Sequence, residues 1–145
     1  MGWKQMLKVM VVDDSSTLRL VLRKQLIELG ITSISMATDG KEALEMLGRD
    51  TDFDLIMCDW HMEPMDGLTF CAKVQETPEL KGRYIPILLM TADDKLANND
   101  RKDRMLPIIK RLGIIGILRK PFSHDDIKTI LSRSAASSGP RPQPD

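Results

Sequence analysis

Short, continuous apolar runs alternate with longer amphipathic segments along this chain. The five runs lie at Leu7–Val12, Ser33–Ala37, Asp54–Cys58, Ile85–Met90 and Ile114–Leu118. Short runs in which polar residues do not alternate with apolar ones are typical of strands that are buried on both faces of a parallel sheet. The pattern therefore predicts five parallel β-strands.

The segments between these runs have the spacing of amphipathic helices. In the first segment, Leu18, Leu22 and Leu26 fall on one face, and Gly30 is placed to end the helix. Parallel strands that alternate with helices require right-handed crossovers, which place helices on both faces of the sheet. The chain is therefore predicted to be an α/β protein with a doubly wound, five-stranded parallel sheet.

Capping residues indicate where other helices begin. Asp39 is followed by Glu42, and Ser123 by Asp126, which is the spacing of a capping box at a helix start. The two remaining helices are predicted over about residues 68–75 and, after a polar extended loop, from Pro107 to Gly113.

Length and composition indicate one globular domain. The 145 residues are 42% hydrophobic and 29% charged, which fits a single folded unit. We expect that domain over residues 7–134, after an N-terminal extension at 1–6 and before a disordered Pro-rich tail at 135–145. A formal net charge of zero gives no indication of DNA binding. There is no membrane-length apolar run, and two cysteines are too few for a disulfide framework, so a location in the cytoplasm is expected. We also expect a monomer.

Polar side chains follow the ends of four predicted strands. These are Asp13 and Asp14 after the first strand, Asp59 after the third, Thr91 after the fourth and Lys120 after the fifth. Ligands of doubly wound folds bind at the carboxyl ends of the strands, so the five side chains should meet there. Three carboxylates that lie close together repel one another unless a cation intervenes, and Mg²⁺ prefers such oxygen ligands.

The set suits Mg²⁺-assisted phosphoryl chemistry. Asp59 would be the nucleophile, Lys120 the counter-charge for phosphate and Thr91 a hydrogen-bond donor. Each residue alone also has an ordinary interpretation: Asp13 or Asp14 as a helix cap, Asp59 as a turn residue, Lys120 as a solvated lysine and Thr91 as a structural residue. The joint pattern favours the functional interpretation.

Four segments carry a resemblance to a known family. VMVVDDSSTLRLVLRKQL, LIMCDWHMEPMDG, ILLMTA and ILRKPF occur in that order and span about residues 7–132. They resemble the receiver domain of two-component response regulators, and within it the CheY-like single-domain chemotaxis regulators. The resemblance implies the flavodoxin-like (βα)5 receiver fold.

The resemblance also implies a role for each matching residue. Asp59 would be the phosphorylated aspartate, with Asp14 and Asp59 as direct Mg²⁺ ligands. Asp13 would act on the ion through water, and the backbone carbonyl of His61 would supply a further ligand. Lys120 would pair with the phosphoryl oxygens, and the Lys120–Pro121 peptide would be cis. Thr91 would shift towards the phosphoryl group, beside which the small Ala92 leaves room.

The chain also departs from the family pattern. Ile117 stands three residues before the lysine, where the family usually has a rotating Tyr or Phe. Glu63 stands between Met62 and Pro64 and adds a charge near the pocket. We hypothesise that His61, two residues after the acceptor, tunes autodephosphorylation. A longer segment at 93–103 is a candidate for partner choice or access of the phosphodonor.

The resemblance implies a single-domain regulator that is not a stand-alone enzyme. Its partners would be a CheA-like histidine kinase or a histidine phosphotransfer domain, and an output protein such as the flagellar motor switch. A phosphate sink or a phosphorelay intermediate would have the same sequence features. A Mg²⁺-dependent phosphatase is the enzymatic alternative, although His61 stands where such an enzyme would have its second aspartate. A pseudo-receiver is disfavoured by the complete set of polar residues.

Overall fold

The structure is a computed structural model that describes residues 2, 6–92 and 107–136. Its strands are β1 (Lys8–Val12), β2 (Ser33–Ala37), β3 (Leu55–Asp59), β4 (Ile87–Thr91) and β5 (Ile114–Arg119). They form one parallel sheet in the order β2-β1-β3-β4-β5. The α/β fold predicted from the apolar runs is confirmed, with small differences at the strand ends.

Helices cover both faces of this sheet. They are α1 (Ser16–Glu28), α2 (Gly40–Arg49), α3 (Gly67–Gln75), α4 (residues 107–111, the described part) and α5 (His124–Ala136), with a short 3-10 helix at Pro78–Leu80. The alternating residues of β1 show how the layers form. Met10 and Val12 are buried in a core with Phe70 of α3, whereas Val9 and Val11 are buried with Leu22 of α1.

Side-chain caps set the helix starts. The carboxylate of Asp39 accepts a hydrogen bond from the Glu42 backbone N–H (2.8 Å), as its spacing predicts. Ser123 and Asp126 form the predicted reciprocal pair of bonds, at 2.9 and 3.2 Å. The alternative in which Asp13 or Asp14 caps the first helix is wrong, because the side chain of Ser15 caps α1.

Several predicted segments fall partly or wholly outside the described residues. The polar loop at 93–103 lies outside them, as do most of the N-terminal extension at 1–6 and most of the tail at 135–145. Helix α5 continues to Ala136, beyond the boundary predicted at residue 134. Within the described ranges, no helix has the length and hydropathy needed to span a bilayer.

Candidate functional site

The strand order brings the first acidic residues together. The chain runs from β1 outwards to β2 and then returns past β1 to β3, so β1 and β3 are neighbours at the point where the order reverses. Val12 pairs with Cys58 in the register of these strands. The next residues along the chain, Asp13 and Asp59, therefore lie side by side at the carboxyl edge of the sheet, where doubly wound folds bind ligands.

Three carboxylates meet at this edge. One oxygen from each of Asp13, Asp14 and Asp59 lies within 4.8 Å of the others. Asp13 is fully buried and Asp59 is 7% exposed, whereas Asp14 faces solvent. Like charges at this spacing are unfavourable without a cation, and oxygen ligands with one side open to water suit Mg²⁺. The three residues fit the metal that the sequence predicts.

The ammonium group of Lys120 lies in the same cluster. Its Nζ donates to Oδ1 of Asp59 at 3.1 Å and to Oδ2 of Asp13 at 3.2 Å. The backbone N–H of Lys120 donates to the carbonyl of Thr91 at 2.7 Å, which anchors the end of β5 to the end of β4. The Lys120–Pro121 peptide is cis, so that prediction is confirmed. One positive charge is thus fixed between two carboxylates.

The electrostatics of Asp59 follow from this arrangement. Burial raises the pKa of its carboxyl above the usual value of 3.8, and the charges of Asp13 and Asp14 raise it further. The charge and hydrogen bond of Lys120 act in the opposite direction without cancelling the rise. The ionised Asp59 carboxylate is therefore held in a site that disfavours its charge, and an added cation would relieve that cost.

Cys58, which directly precedes Asp59, is a buried cysteine. Its side chain is fully buried, and its Sγ lies 3.2 Å from the carbonyl oxygen of Asp59. Burial raises the pKa of this thiol well above its usual value, and the neighbouring Cys71 and Asp59 add to the rise. Burial also raises the pKa of Cys71 to about 12. Buried thiols with raised pKa values are poor nucleophiles, which leaves the Asp59 carboxylate as the candidate nucleophile at this edge.

A tight loop after β3 borders the site. The Trp60 backbone N–H donates to the carbonyl of Met90 (2.8 Å), and the Gly67 N–H donates to the carbonyl of Trp60 (2.7 Å). A Cβ on Gly67 would lie 2.7 Å from the carbonyl oxygen of Asp59 and 2.9 Å from the Cα of Trp60. Only glycine permits this approach of α3 to β3. The peptide between Glu63 and Pro64 in this loop is cis.

The other predicted site residues lie around this cluster. Thr91 is fully buried at the end of β4, and Ala92 after it is exposed. Ile117 is half-buried and packs against the core under α3 and α4. His61 and Glu63 are exposed, and the His61 ring stacks on the Trp60 ring at 6.5 Å between centroids. The structure brings Asp13, Asp14, Asp59 and Lys120 into one cluster.

Sequence reasoning missed Arg19. Its Nη1 donates to the backbone carbonyl of Asp13 at 2.6 Å. The available signal was its position one helical turn after the Ser15 cap, from which a long side chain can reach back towards the preceding strand end. Gly67 was also missed, because an Asp-Gly pair in sequence indicates a turn and gives no sign of the close contact with Asp59.

Comparison with known proteins agrees with this geometry. The family model described as the response regulator receiver domain matches residues 9–132. The chain belongs to the response regulator receiver family. Receiver domains bind Mg²⁺ at an acidic site, as the cluster of Asp13, Asp14 and Asp59 would allow.

Among its relatives, this receiver is similar to chemotaxis protein CheY-3 of Vibrio cholerae. The two are 32% identical over 127 residues, which are 88% of this chain and 90% of that protein. The solved structure of CheY4 from the same species has a TM-score of 0.72 and 30% identity, covering 88% of this chain and 98% of that one. A Pseudomonas aeruginosa sensor kinase receiver, described with magnesium in its active-site cleft, shares the fold at TM-score 0.71 and 23% identity, over 90% of this chain and 98% of its own. The similarities to the chemotaxis proteins support a response regulator in chemotaxis-type signalling.

Proposed function

We propose that this receiver accepts a phosphoryl group from a phosphohistidine onto Asp59 and signals through phosphorylation-dependent protein binding. One observation carries the proposal: the ammonium of Lys120 lies 3.1 Å from a carboxylate that neighbours two further carboxylates at the carboxyl edge of the sheet. The cluster pairs a nucleophile with a positive charge for the incoming phosphoryl oxygens. The donor would be a CheA-like histidine kinase or a histidine phosphotransfer domain.

The transfer is a displacement at phosphorus. A carboxylate oxygen of Asp59 attacks the phosphorus atom, the phosphorus–nitrogen bond of the phosphohistidine breaks, and its electron pair goes to the imidazole. Lys120 stabilises the charge on the transferring oxygens. Bound Mg²⁺ would supply further neutralisation of these oxygens. Its ligands would be Asp14, Asp59 and the His61 carbonyl, with Asp13 acting through water.

The response to phosphorylation would begin beside Asp59. Thr91 ends the neighbouring strand and would move towards the phosphoryl group. The small side chain of Ala92 would leave room beside that group. Ile117 lacks the hydroxyl or ring of the family's usual aromatic residue, so output would depend on movement of loops and helices. His61 and Glu63 are exposed near the site and would modulate the lifetime of the acyl phosphate.

The output would be a contact with another protein, through the surface of α4, β5 and α5. The flagellar motor switch is the target that chemotaxis-type similarity favours. A phosphate sink or a phosphorelay intermediate would carry out the same chemistry on Asp59 without binding an output protein. Partner capture by the phosphorylated form, compared with the unphosphorylated form, separates these alternatives.

Phosphorylation by a small donor tests the chemistry. With Mg²⁺ and acetyl phosphate, intact-mass spectrometry should show one added phosphoryl group on the wild type, and none on Asp59→Asn or after chelation of Mg²⁺. Asp52→Asn is the matched control because Asp52 is exposed and lies away from the cluster. The same assay on His61→Asn measures the decay of the acyl phosphate, and an unchanged lifetime would exclude a role for His61.

Two outcomes would contradict the proposal. One is phosphorylation that persists in Asp59→Asn to the same extent as in the wild type. The other is rapid, continuous turnover of a phosphomonoester such as p-nitrophenyl phosphate, which would indicate the Mg²⁺-dependent phosphatase instead.

A further inference from the structure

Arg19 lies next to the acidic cluster without taking part in it. It belongs to the first turns of α1, and its guanidinium reaches back to the end of β1. Nη1 donates to the backbone carbonyl oxygen of Asp13 at 2.6 Å, and the contact is partly buried. A hydrogen bond from a charged donor at this distance is among the stronger ones in proteins. The side chain therefore fixes one peptide group of the site.

That peptide group joins two residues of the cluster. The carbonyl of Asp13 and the N–H of Asp14 belong to the same planar unit, so holding the carbonyl also fixes the plane from which Asp14 departs. The side chain of Asp13 is already held, because Oδ1 accepts from the Ser15 N–H (2.9 Å) and Oδ2 from Lys120 (3.2 Å). No side-chain hydrogen bond of Asp14 is found within the described ranges, and Asp14 is exposed.

We propose that Arg19 is a positioning residue that orients the Asp13–Asp14 peptide and so presents the Asp14 carboxylate for Mg²⁺ binding. The proposal rests on the proposed function, since it concerns the same metal site. Groups that hold metal ligands in place typically change metal affinity by about 10- to 100-fold when they are removed. Arg19 fits such a role because its hydrogen bond goes to the backbone that carries a ligand and leaves the carboxylates of the cluster to the metal.

The test measures Mg²⁺ affinity through the fluorescence of Trp60. Trp60 directly follows Asp59 and is 6% exposed. Because Trp3 would add a second signal, all proteins carry Trp3→Phe. The variants are Arg19→Ala, Arg19→Lys and Arg23→Ala. Arg23 lies on the same helix and is exposed, so its removal changes net charge equally and serves as the matched control.

Arg19→Ala should raise the Kd for Mg²⁺ by about 10-fold or more. Arg19→Lys keeps the charge and a donor, so its Kd should lie between those of Arg19→Ala and the wild type. Arg23→Ala should stay within about 2-fold of the wild type, as expected for an exposed charge screened by solvent. At saturating Mg²⁺, phosphorylation of Arg19→Ala by acetyl phosphate should recover to a rate close to that of the wild type, because Asp59 and Lys120 are intact.

Three results would overturn the proposal. In the first, Arg19→Ala binds Mg²⁺ as the wild type does, which leaves the proposed function standing. In the second, Arg23→Ala weakens binding as much as Arg19→Ala, which indicates a general effect of net charge. In the third, Arg19→Ala binds Mg²⁺ more weakly but its phosphorylation rate does not recover at saturating Mg²⁺, which indicates a wider disruption of the site. A wild type that neither binds Mg²⁺ nor accepts phosphate would overturn the proposed function as well.

Discussion

The sheet holds a lysine–carboxylate cluster at each edge, and the two differ in burial. At the carboxyl edge, the Lys120 side chain is 14% exposed and contacts Asp13 and Asp59, which are almost inaccessible to solvent. At the amino edge, Lys8 forms an ion pair with Asp50, and these side chains are 28% and 45% exposed. The chemical groups are the same, but solvent reaches only one of the pairs freely.

Burial reverses the direction in which the pKa of the carboxyl group is shifted. The hydrogen bond from Lys8 lowers the pKa of the Asp50 carboxyl below 3.8. At the carboxyl edge, the effect of burial on the pKa of the Asp59 carboxyl is larger than the opposing effect of Lys120, so this pKa rises. The exposed cluster is thus an ordinary stabilising ion pair, to which the ring of Phe53 adds a cation–π contact with the Lys8 ammonium at 4.8 Å. The buried cluster keeps charges in an unfavourable place, which is typical of a functional site.

Removing each lysine in turn gives the largest expected contrast. Lys120→Met should slow phosphorylation by acetyl phosphate by about 100-fold or more, because a charge aimed at the transferring group is lost. Lys8→Met should leave that rate unchanged and reduce the free energy of unfolding by about 1 kcal/mol or less. The rates are measured by mass spectrometry and the stabilities by urea unfolding. Equal phosphorylation rates for Lys120→Met and Lys8→Met would show that the buried lysine has no special role in phosphoryl transfer.

Two glycine substitutions sharpen the comparison in terms of packing. Gly67→Ala places a methyl group against the backbone of Asp59 and Trp60, so we expect a loss of about 1–3 kcal/mol in stability and weaker Mg²⁺ binding. Gly48 lies near the C-terminal end of α2, and no atom lies within 4 Å of the position that an added methyl group would take. Gly48→Ala should stabilise the protein by about 0.5–1 kcal/mol. Urea unfolding measures both values, and a Gly67→Ala protein as stable as the wild type would contradict the close contact.

The pH dependence of stability should differ in sign between the two edges. Because the folded-state pKa of Asp59 is raised, its ionisation destabilises the metal-free fold as pH increases from 3.8 through that raised value. Asp59→Asn should therefore be more stable than the wild type at pH 7, and this gain should disappear below pH 3.8.

Asp50 should behave in the opposite way. Its lowered pKa gives a stabilisation that is present above 3.8 and is lost as pH falls through the folded-state value. Asp50→Asn should be slightly less stable than the wild type at pH 7, with the difference vanishing in acid. Thermal unfolding between pH 3 and 7, without metal, measures both variants. A destabilised Asp59→Asn protein at pH 7 would show that Lys120 outweighs burial.

Much of the fold and of the site could be predicted from sequence. The strands were predictable because β3 and β4 are buried on both faces and therefore contain almost only apolar residues. The acidic cluster was predictable because parallel strands bring their carboxyl ends to one edge. That rule alone predicts that Asp59 and Lys120 lie near each other, although they are 61 positions apart in the sequence.

The rest depends on geometry that residue patterns do not encode. The bond from Arg19 requires the entry angle of α1, and the role of Gly67 requires the distance between α3 and β3. The capping of α1 by Ser15 was also missed, because five consecutive residues, Asp13 to Thr17, have acceptor side chains that could cap a helix, and the backbone path at the helix start decides among them. Contacts between distant segments thus set the details of the site.

The distribution of the cluster over the chain has a consequence for biosynthesis. Asp13 and Lys120, which are in direct contact, are 107 positions apart, and Asp59 comes from a third strand between them. A nascent or partly assembled chain in which β5 has not yet docked lacks the ammonium beside its carboxylates. Only molecules in which all five strands have docked would then have the complete cluster. Folding of the whole sheet would therefore have to be finished before the protein could receive a signal at this site.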